Sequence, residues 1–342
     1  MSRELPATKA GPRAQAWAWL RAAAGRMAEY LASLAVLAAI TFFALRALPG
    51  DPLAILYGEA SVQGLTPENR AILAARHGLD ASLPEQFLHY AGMLCRGDLG
   101  QSARHARPVA QVIGQALPWT LLLVTSATAM ALAAGLFLGI EAGMRRGRAA
   151  DGIILAAVTA LDSLPLFVKA ILALFALCLG LALFPVSGAA TPFTQAKDWA
   201  LAADVAWHAA VPAGVLALHE ITKLTFVIRA LVVAVRGRPF LTVARAKGVS
   251  AFGLRSRHVA PNVMAQVTAR TAAMFTELFA GSIFVETVFS YPGLGRLLYE
   301  GIFGRDYPLV QGLVLVLGAG VLTVNMAADL VIGRLTEREA RG

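Results

Sequence analysis

Apolar runs long enough to cross a bilayer, separated by polar or basic links, dominate the chain. A spanning helix needs about 20 mostly apolar residues. Six segments reach that length: 27–48, 120–140, 153–184, 209–235, 267–289 and 309–332. The third is longer than one span and is interrupted near Asp162 and Pro165. The fourth is the most polar, carrying His219, Glu220 and Lys223. The pattern predicts an all-α polytopic membrane protein with about six transmembrane helices.

Residues 49–118, between the first two segments, carry helix signals of their own. Thr66 suits an N-cap, Pro67 the first helical position, Glu68 the first turn and Gly78 the stop. A second short helix is expected over 83–94, with Pro84 in its first turn. The stretch therefore reads as a folded helical cap.

Composition agrees. Of 342 residues, 57% are hydrophobic and 15% charged, where soluble domains run nearer about 25% charged. The mean hydropathy is +0.63. This excludes a pair of soluble domains, a disordered chain and a small disulfide scaffold. Cys178 lies in an apolar run and Cys95 in a polar stretch, so no disulfide is expected between them. The basic lead-in Arg3, Lys9, Arg13, Arg21 and Arg26 could open a secretion signal. The apolar run after it is long, no small-x-small site follows, and Leu48-Pro49-Gly50-Asp51-Pro52 turns the chain. An uncleaved first helix is expected.

The net charge is +9. No basic patch is interleaved with aromatics, which argues against nucleic acid. Lysine and arginine instead set orientation. With the N-terminus inside, the inside segments hold seventeen of them against nine outside, and 236–264 contains no Asp or Glu. N-in/C-in follows. It divides the chain into a cytoplasmic tail (1–26), a first span (27–48), an extracytoplasmic helical loop (49–118), a core (119–335) with a cytoplasmic link at 236–264, and a tail (336–342).

Catalytic signatures are missing. There is no G-x-x-x-x-G-K-[ST] loop, no H-E-x-x-H, no C-x-x-C and no nucleophile motif, and the six histidines are scattered. No catalytic or metal-ligating residue is nominated. A conduit is favoured over an enzyme, and a conduit working uphill needs an energised partner.

Two regions carry candidate function. Residues 238–262 suit two short helices broken at Gly248, with Leu241, Ala244 and Lys247 or Gly248 along one side. Small residues there would let the helix lie in another protein's groove, with the cations anchored to acids or lipid headgroups. Taken alone, these residues fit docking and a plain positive-inside loop equally. Asp162, Lys169, Glu220, Lys223 and Glu277 are ionisable groups at lipid depth, and such groups are functional candidates. Glu220 and Lys223, three apart, can pair. Mutual neutralisation inside the bundle and a translocation path suited to a zwitterion both stay open.

The run Ala244-Arg245-Ala246-Lys247-Gly248, followed by Arg257-His258 and Pro261-Asn262, resembles the cytoplasmic coupling ("EAA") loop of ABC-importer permeases, above all the peptide/nickel branch. The resemblance continues in Leu48-Pro49-Gly50-Asp51-Pro52, His77-Gly78-Leu79-Asp80, Arg96-Gly97-Asp98-Leu99-Gly100-Gln101-Ser102 and Arg107-Pro108-Val109. Near the C-terminus it includes Val285-Glu286-Thr287-Val288-Phe289-Ser290-Tyr291-Pro292-Gly293-Leu294-Gly295 and Arg305-Asp306-Tyr307-Pro308-Leu309-Val310-Gln311-Gly312. The matches are collinear over roughly 27–335, and the large first outside loop is similar to that of the first of the branch's two permeases. Thr242 departs from the generic motif's glutamate and Val243 from its first alanine. Glu220 and Lys223 are not features of the family, and the N-terminal tail is longer than usual.

The resemblance implies a type I ABC-importer permease fold in the bacterial inner membrane. It implies a permease subunit of an ATP-driven, binding-protein-dependent importer for di- or oligopeptides, with nickel, opines or short oligosaccharides as variants. Partners would be a second homologous permease, two ATPase subunits and an extracytoplasmic substrate-binding protein. ATP and magnesium would sit in the ATPases, with no cofactor on this chain. Docking would fall to Leu241, Ala244, Arg245, Ala246, Lys247, Gly248, Phe252, Arg257 and His258. Outer gating and binding-protein contact would fall to Asp51, Asp98, Glu286, Pro292, Gly293, Arg305 and Asp306. A stand-alone channel or secondary carrier is the alternative from another class. The acid-free link and the lack of inverted-repeat signs weigh against it.

Overall fold

The computed structural model describes residues 12–47, 53, 62–76, 81–195 and 197–339. Asp51 and the flanking Leu48–Pro52 motif, the His77–Asp80 motif and the extreme termini lie outside the described residues.

The described residues are almost wholly helical. Helix α1 (Pro12–Arg46) is followed by two short helices, α2 (Pro67–Arg76) and α3 (Leu83–Cys95). A two-stranded antiparallel hairpin pairs Gln101–Ser102 with Arg107–Pro108. Then come α4 (Val109–Met144), α5 (Ala149–Asp162) and α6 (Leu166–Ala173), which runs on into a π-helical turn, Leu174–Gly180. Helix α7 (Asp198–Arg236) leads to α8 (Pro239–Ala246). A tight turn (Ala251–Gly253) and a π-helical turn (Leu254–Val259) open α9 (Ala260–Val288). Helices α10 (Leu294–Phe303) and α11 (Tyr307–Glu339) complete the chain.

Four stretches among the described residues are long and apolar enough to cross a membrane: Ala24–Arg46, Val109–Met144, Gln266–Val288 and Tyr307–Ala327. The α5–α6 pair makes a fifth span if its 97° bend lies within the membrane. Pro165 explains the bend, because its ring disfavours a helical Leu164 and it has no N–H to donate. Helix α7, with 39 residues, is the longest, at roughly 58 Å for a 1.5 Å rise. His219, Glu220, Lys223 and Arg229 interrupt its apolar run. The six expected segments thus become four apolar helices, one bent pair and one long charged helix.

Helices α4 and α7 form the spine. Ala127, Ala131, Gly135, Gly139 and Gly143 recur every four residues on α4 and are buried against α7. A β-carbon at Gly139 would lie 2.6 Å from Ile228 Cβ, and one at Gly143 2.6 Å from Val232 Cβ. Only glycine lets the backbones approach this closely. Helix α1 lies outside this core. Leu31, Val36 and Ile40 are exposed, as lipid-facing side chains are. It touches α11 where Leu37 covers Gly318 and where Tyr30 Oη meets Thr323 Oγ1 at 3.1 Å.

The cap is anchored by aromatic rings. Phe42, fully buried, packs on Phe87 and Tyr90 of α3 with centroids 5.3 Å away. The Arg46 guanidinium sits 3.6 Å over the Phe42 ring and donates to Gln86. Thr66 caps α2 as expected, accepting from the Asn69 N–H at 3.3 Å.

Candidate functional site

Three groups of polar residues lie along the spine: a basic end, a charged middle and a far end.

At the basic end, Pro239 starts α8 and Gly248, at φ +76°, breaks it. Ser250 then caps the next turn by accepting from the Gly253 N–H at 3.1 Å. Leu241 and Ala244 are buried with Leu254, Val259 and Val263 against Ile228 and Val232 of α7. Of the side read from sequence as a partner's groove-filling face, Leu241 and Ala244 are therefore turned inward, seating the segment on the chain's own core, while Lys247 and Gly248 are exposed. Outward-facing instead are Phe240, Val243, Arg245, Ala246, Lys247, Arg257 and, at 78% exposure, Phe252. His258 is half-buried. Sequence reasoning passed over the link from this segment to α4. Arg255 Nε lies 2.6 Å from Glu141 Oε1, and Glu141 also pairs with Arg145 at 2.8 Å. Nearby, Arg229 grips buried Asp151 of α5 through two bonds of 2.7 and 2.9 Å.

In the middle, α7 and α9 form a ring of alternating charge. Lys223 Nζ contacts Glu220 at 3.2 Å and Glu277 at 2.5 Å. Arg270 Nη2 contacts Glu277 at 2.9 Å and Glu220 at 3.8 Å. Glu220 is buried, while the side chains of Lys223, Glu277 and Arg270 are 32%, 36% and 27% exposed. Beside the ring, Thr222 donates to Asp162 at 2.8 Å, and Lys169 Nζ sits 3.3 Å from His219 Nδ1. All five nominated membrane-depth residues thus meet in one cluster. Arg270, Thr222 and His219 complete it. Arg270 could have been found as the third cation needed to balance Asp162, Glu220 and Glu277 against Lys169 and Lys223.

At the far end, Glu286 is fully buried. Its carboxylate accepts from Thr120 Oγ1 at 2.7 Å and from the backbone N–H groups of Gly295 and Arg296 at 2.7 and 3.2 Å. The last two are free donors of the first turn of α10, where a negative charge is favoured. Thr120 accepts in turn from the Leu294 N–H at 2.8 Å. Gly293 packs so tightly on Glu286 that a methyl group there would overlap the carboxylate. Burial, with the Glu286 carboxylate nearby, pushes the Tyr291 phenol above its usual value.

Asp306 is likewise buried, capping α11 through the Leu309 N–H. It also ties down the hairpin by accepting from Ser102 Oγ at 2.5 Å and the Arg104 N–H at 3.1 Å. Asp98 stands apart, exposed, and accepts from the Gly100 N–H in a local turn. Arg305 is exposed at φ +52°. Pro292 and Gly293 line a cleft of about 680 Å³ walled by Arg104, Arg107, Trp119 and Arg296.

Comparison with known proteins fits this layout. Residues 112–341 match the family described as "Binding-protein-dependent transport system inner membrane component". The dipeptide transport system permease protein DppB of Escherichia coli (strain K12) is 31% identical over 316 residues, covering 87% of this chain and 92% of its own. A protein of Brucella abortus (strain 2308), provisionally named as a peptide transport system permease, is 32% identical over 308 residues, covering 90% of this chain and 94% of its own. A Brucella ovis protein, provisionally named as a peptide permease, is 32% identical over 321 residues, covering 93% and 98%.

Proposed function

The chain belongs to the family of binding-protein-dependent transport system inner membrane components, and from that premise we propose that it is one half of the membrane pathway of an ATP-driven importer of di- and oligopeptides. It is a multi-pass inner-membrane permease. The names of its relatives in Escherichia coli and Brucella support the peptide reading.

The observation that carries the energy-coupling part is the segment 236–264. It has no acidic residue, is seated on the core through Leu241 and Ala244, and presents Phe240, Val243 and Phe252 among cations. Apolar knobs ringed by positive charge suit an apolar groove with an acidic rim. The occupant of that role is an ATPase subunit, one for each of two paired permeases. ATP and magnesium belong to those subunits, and this chain contributes no catalytic residue. At the far end, the hairpin, Pro292 and the cleft face a substrate-binding protein. ATP-driven closure of the ATPases moves the docking segments and rocks the spans between inward- and outward-facing states. The charged cluster lines the path between them.

The test is co-expression with the products of neighbouring genes, purification from membranes, and ATPase assay with and without the loaded binding protein. A stable complex whose ATPase rises with the loaded binding protein is expected. A chain that purifies alone, and moves solute or current without ATP, would overturn the proposal in favour of a channel or carrier.

A further inference from the structure

The Glu220–Lys223–Glu277–Arg270 ring has two properties that a purely structural ion pair does not need. First, it is closed. Each carboxylate meets two cations and each cation meets two carboxylates, so any one contact can open without stranding a charge. Second, it is lopsided. Glu220 is buried, while the other three keep about a third of their side-chain surface open. Open charge at this depth is not tolerated against lipid. It needs water or polar groups, and a solute path would supply both.

The depth of the ring is set by the helices. Glu277 is the midpoint of the Gln266–Val288 apolar stretch of α9, 11 residues from each end, roughly 16 Å at 1.5 Å per residue. Glu220 is joined to it through Lys223 and Arg270, so the ring sits near the middle of a hydrocarbon core of about 30 Å. A solute with a free ammonium and a free carboxylate meets its largest desolvation cost in this zone.

We propose that the ring is a way-station for zwitterionic solutes, working by exchange of ion pairs. The Lys223–Glu277 contact opens. The solute's carboxylate takes the place of Glu277 against Lys223, while its ammonium takes the place of Lys223 against Glu277. Glu220, held beneath, keeps the cationic side neutralised throughout. One internal pair is replaced by two with the solute, and no charge is left unpaired at any stage. Net charge does not change, and no proton transfer is required. The inference rests on the peptide reading above and deepens it, because it assigns recognition of the two charged termini to named residues of the permease.

The experiment uses the assembled complex in proteoliposomes, with trialanine as the probe. The variant pair Arg270→Gln with Glu277→Gln removes one charge of each sign from the open rim and leaves Glu220 paired with Lys223. The pair Lys223→Met with Glu277→Gln does the same and leaves Glu220 facing Arg270. Both keep the cluster neutral, so at least one is expected to assemble. In an assembled variant, the ATPase stimulated by the loaded binding protein stays near the wild-type level. Trialanine uptake per ATP falls by roughly tenfold or more, the scale of one lost ion pair. Wild-type uptake per ATP in an assembled variant would overturn the inference and make the ring a brace between α7 and α9. Loss of assembly in both variants would overturn it in the same way. A wild-type complex that responds to its binding protein but moves no trialanine would overturn the peptide reading, and this inference with it.

Discussion

At the scale of single residues, buried carboxylates organise the far end, and Glu286 shows how. It has no cation in hydrogen-bonding contact. Its charge is held by a hydroxyl and two backbone N–H groups at the start of α10. Hydrogen bonds to a charged group contribute about 1.5–3 kcal/mol each. Glu286→Gln keeps the shape but turns one acceptor into a donor facing other donors, so it should lower the thermal midpoint of the purified complex clearly. Thr120→Val should do so to a similar degree. Because the two side chains share one network, the double variant should fall short of the sum, which a double-mutant thermal series checks. The position of Glu286 was legible in the sequence, since it falls in the motif Val285–Gly295 that resembles the permease family's, near the outer end of an apolar run. Thr120, 166 residues away and read as the first residue of a span, gave no such signal. The middle cluster divided in the same way. Glu220 and Lys223 were legible as a pair because they share a helix face. Arg270 was legible only by charge balance and not by helix-face spacing, because its partners lie on α7 and two helical turns further along α9.

At the scale of elements, punctuation was read well and lengths were not. Pro165 and Gly248 break the chain where their covalent geometry says they must. Helix α4, expected from 120, begins at Val109. Its first turns are amphipathic, and Val109, Val112 and Ile113 pack beneath α10 and α11, so an apolar-run criterion misses them. The alanine and glycine stripe on α4 was not read from the sequence, and the structure shows that α7 fills it. A methyl group at Gly139 has no room, and overpacking of this kind costs about 1–3 kcal/mol. Gly139→Ala should therefore lower the thermal midpoint of the complex. Gly114, on the same helix, has nothing within 4 Å of a would-be β-carbon. Gly114→Ala should be neutral or stabilising by up to about 1 kcal/mol. If both glycines respond alike, close packing of α4 on α7 is not what fixes the spine.

At the scale of the whole molecule, α4 carries a polar contact at each end of the bundle. Thr120 joins it to Glu286 and the α10 turn, and Glu141 joins it to Arg255 in the docking segment. The two positions are 21 residues apart on one continuous helix, roughly 32 Å. The glycine stripe packs α4 closely on α7, and packing of this density transmits a displacement of one helix to the other. In the importer proposed above, a push on the 236–264 segment reaches the far end by two routes: Leu241 and Ala244 pressing on α7, and Arg255 pulling on α4. The apolar route survives loss of the ionic one, so breaking the Glu141 pair should loosen coupling without detaching the ATPases. Glu141→Arg places a third cation beside Arg145 and Arg255. It should leave complex assembly intact and lower uptake per ATP. Arg255→Glu alone should do the same by setting two acids together. Combining the two reverses the pair and should recover most of the loss, with an interaction energy of about 0.5–3 kcal/mol. Uptake per ATP in the four complexes measures it. Recovery in the double variant places the ionic contact itself in the coupling route. Equal loss in all three variants would assign the effect to local disruption of the docking turn and leave α7 as the sole route.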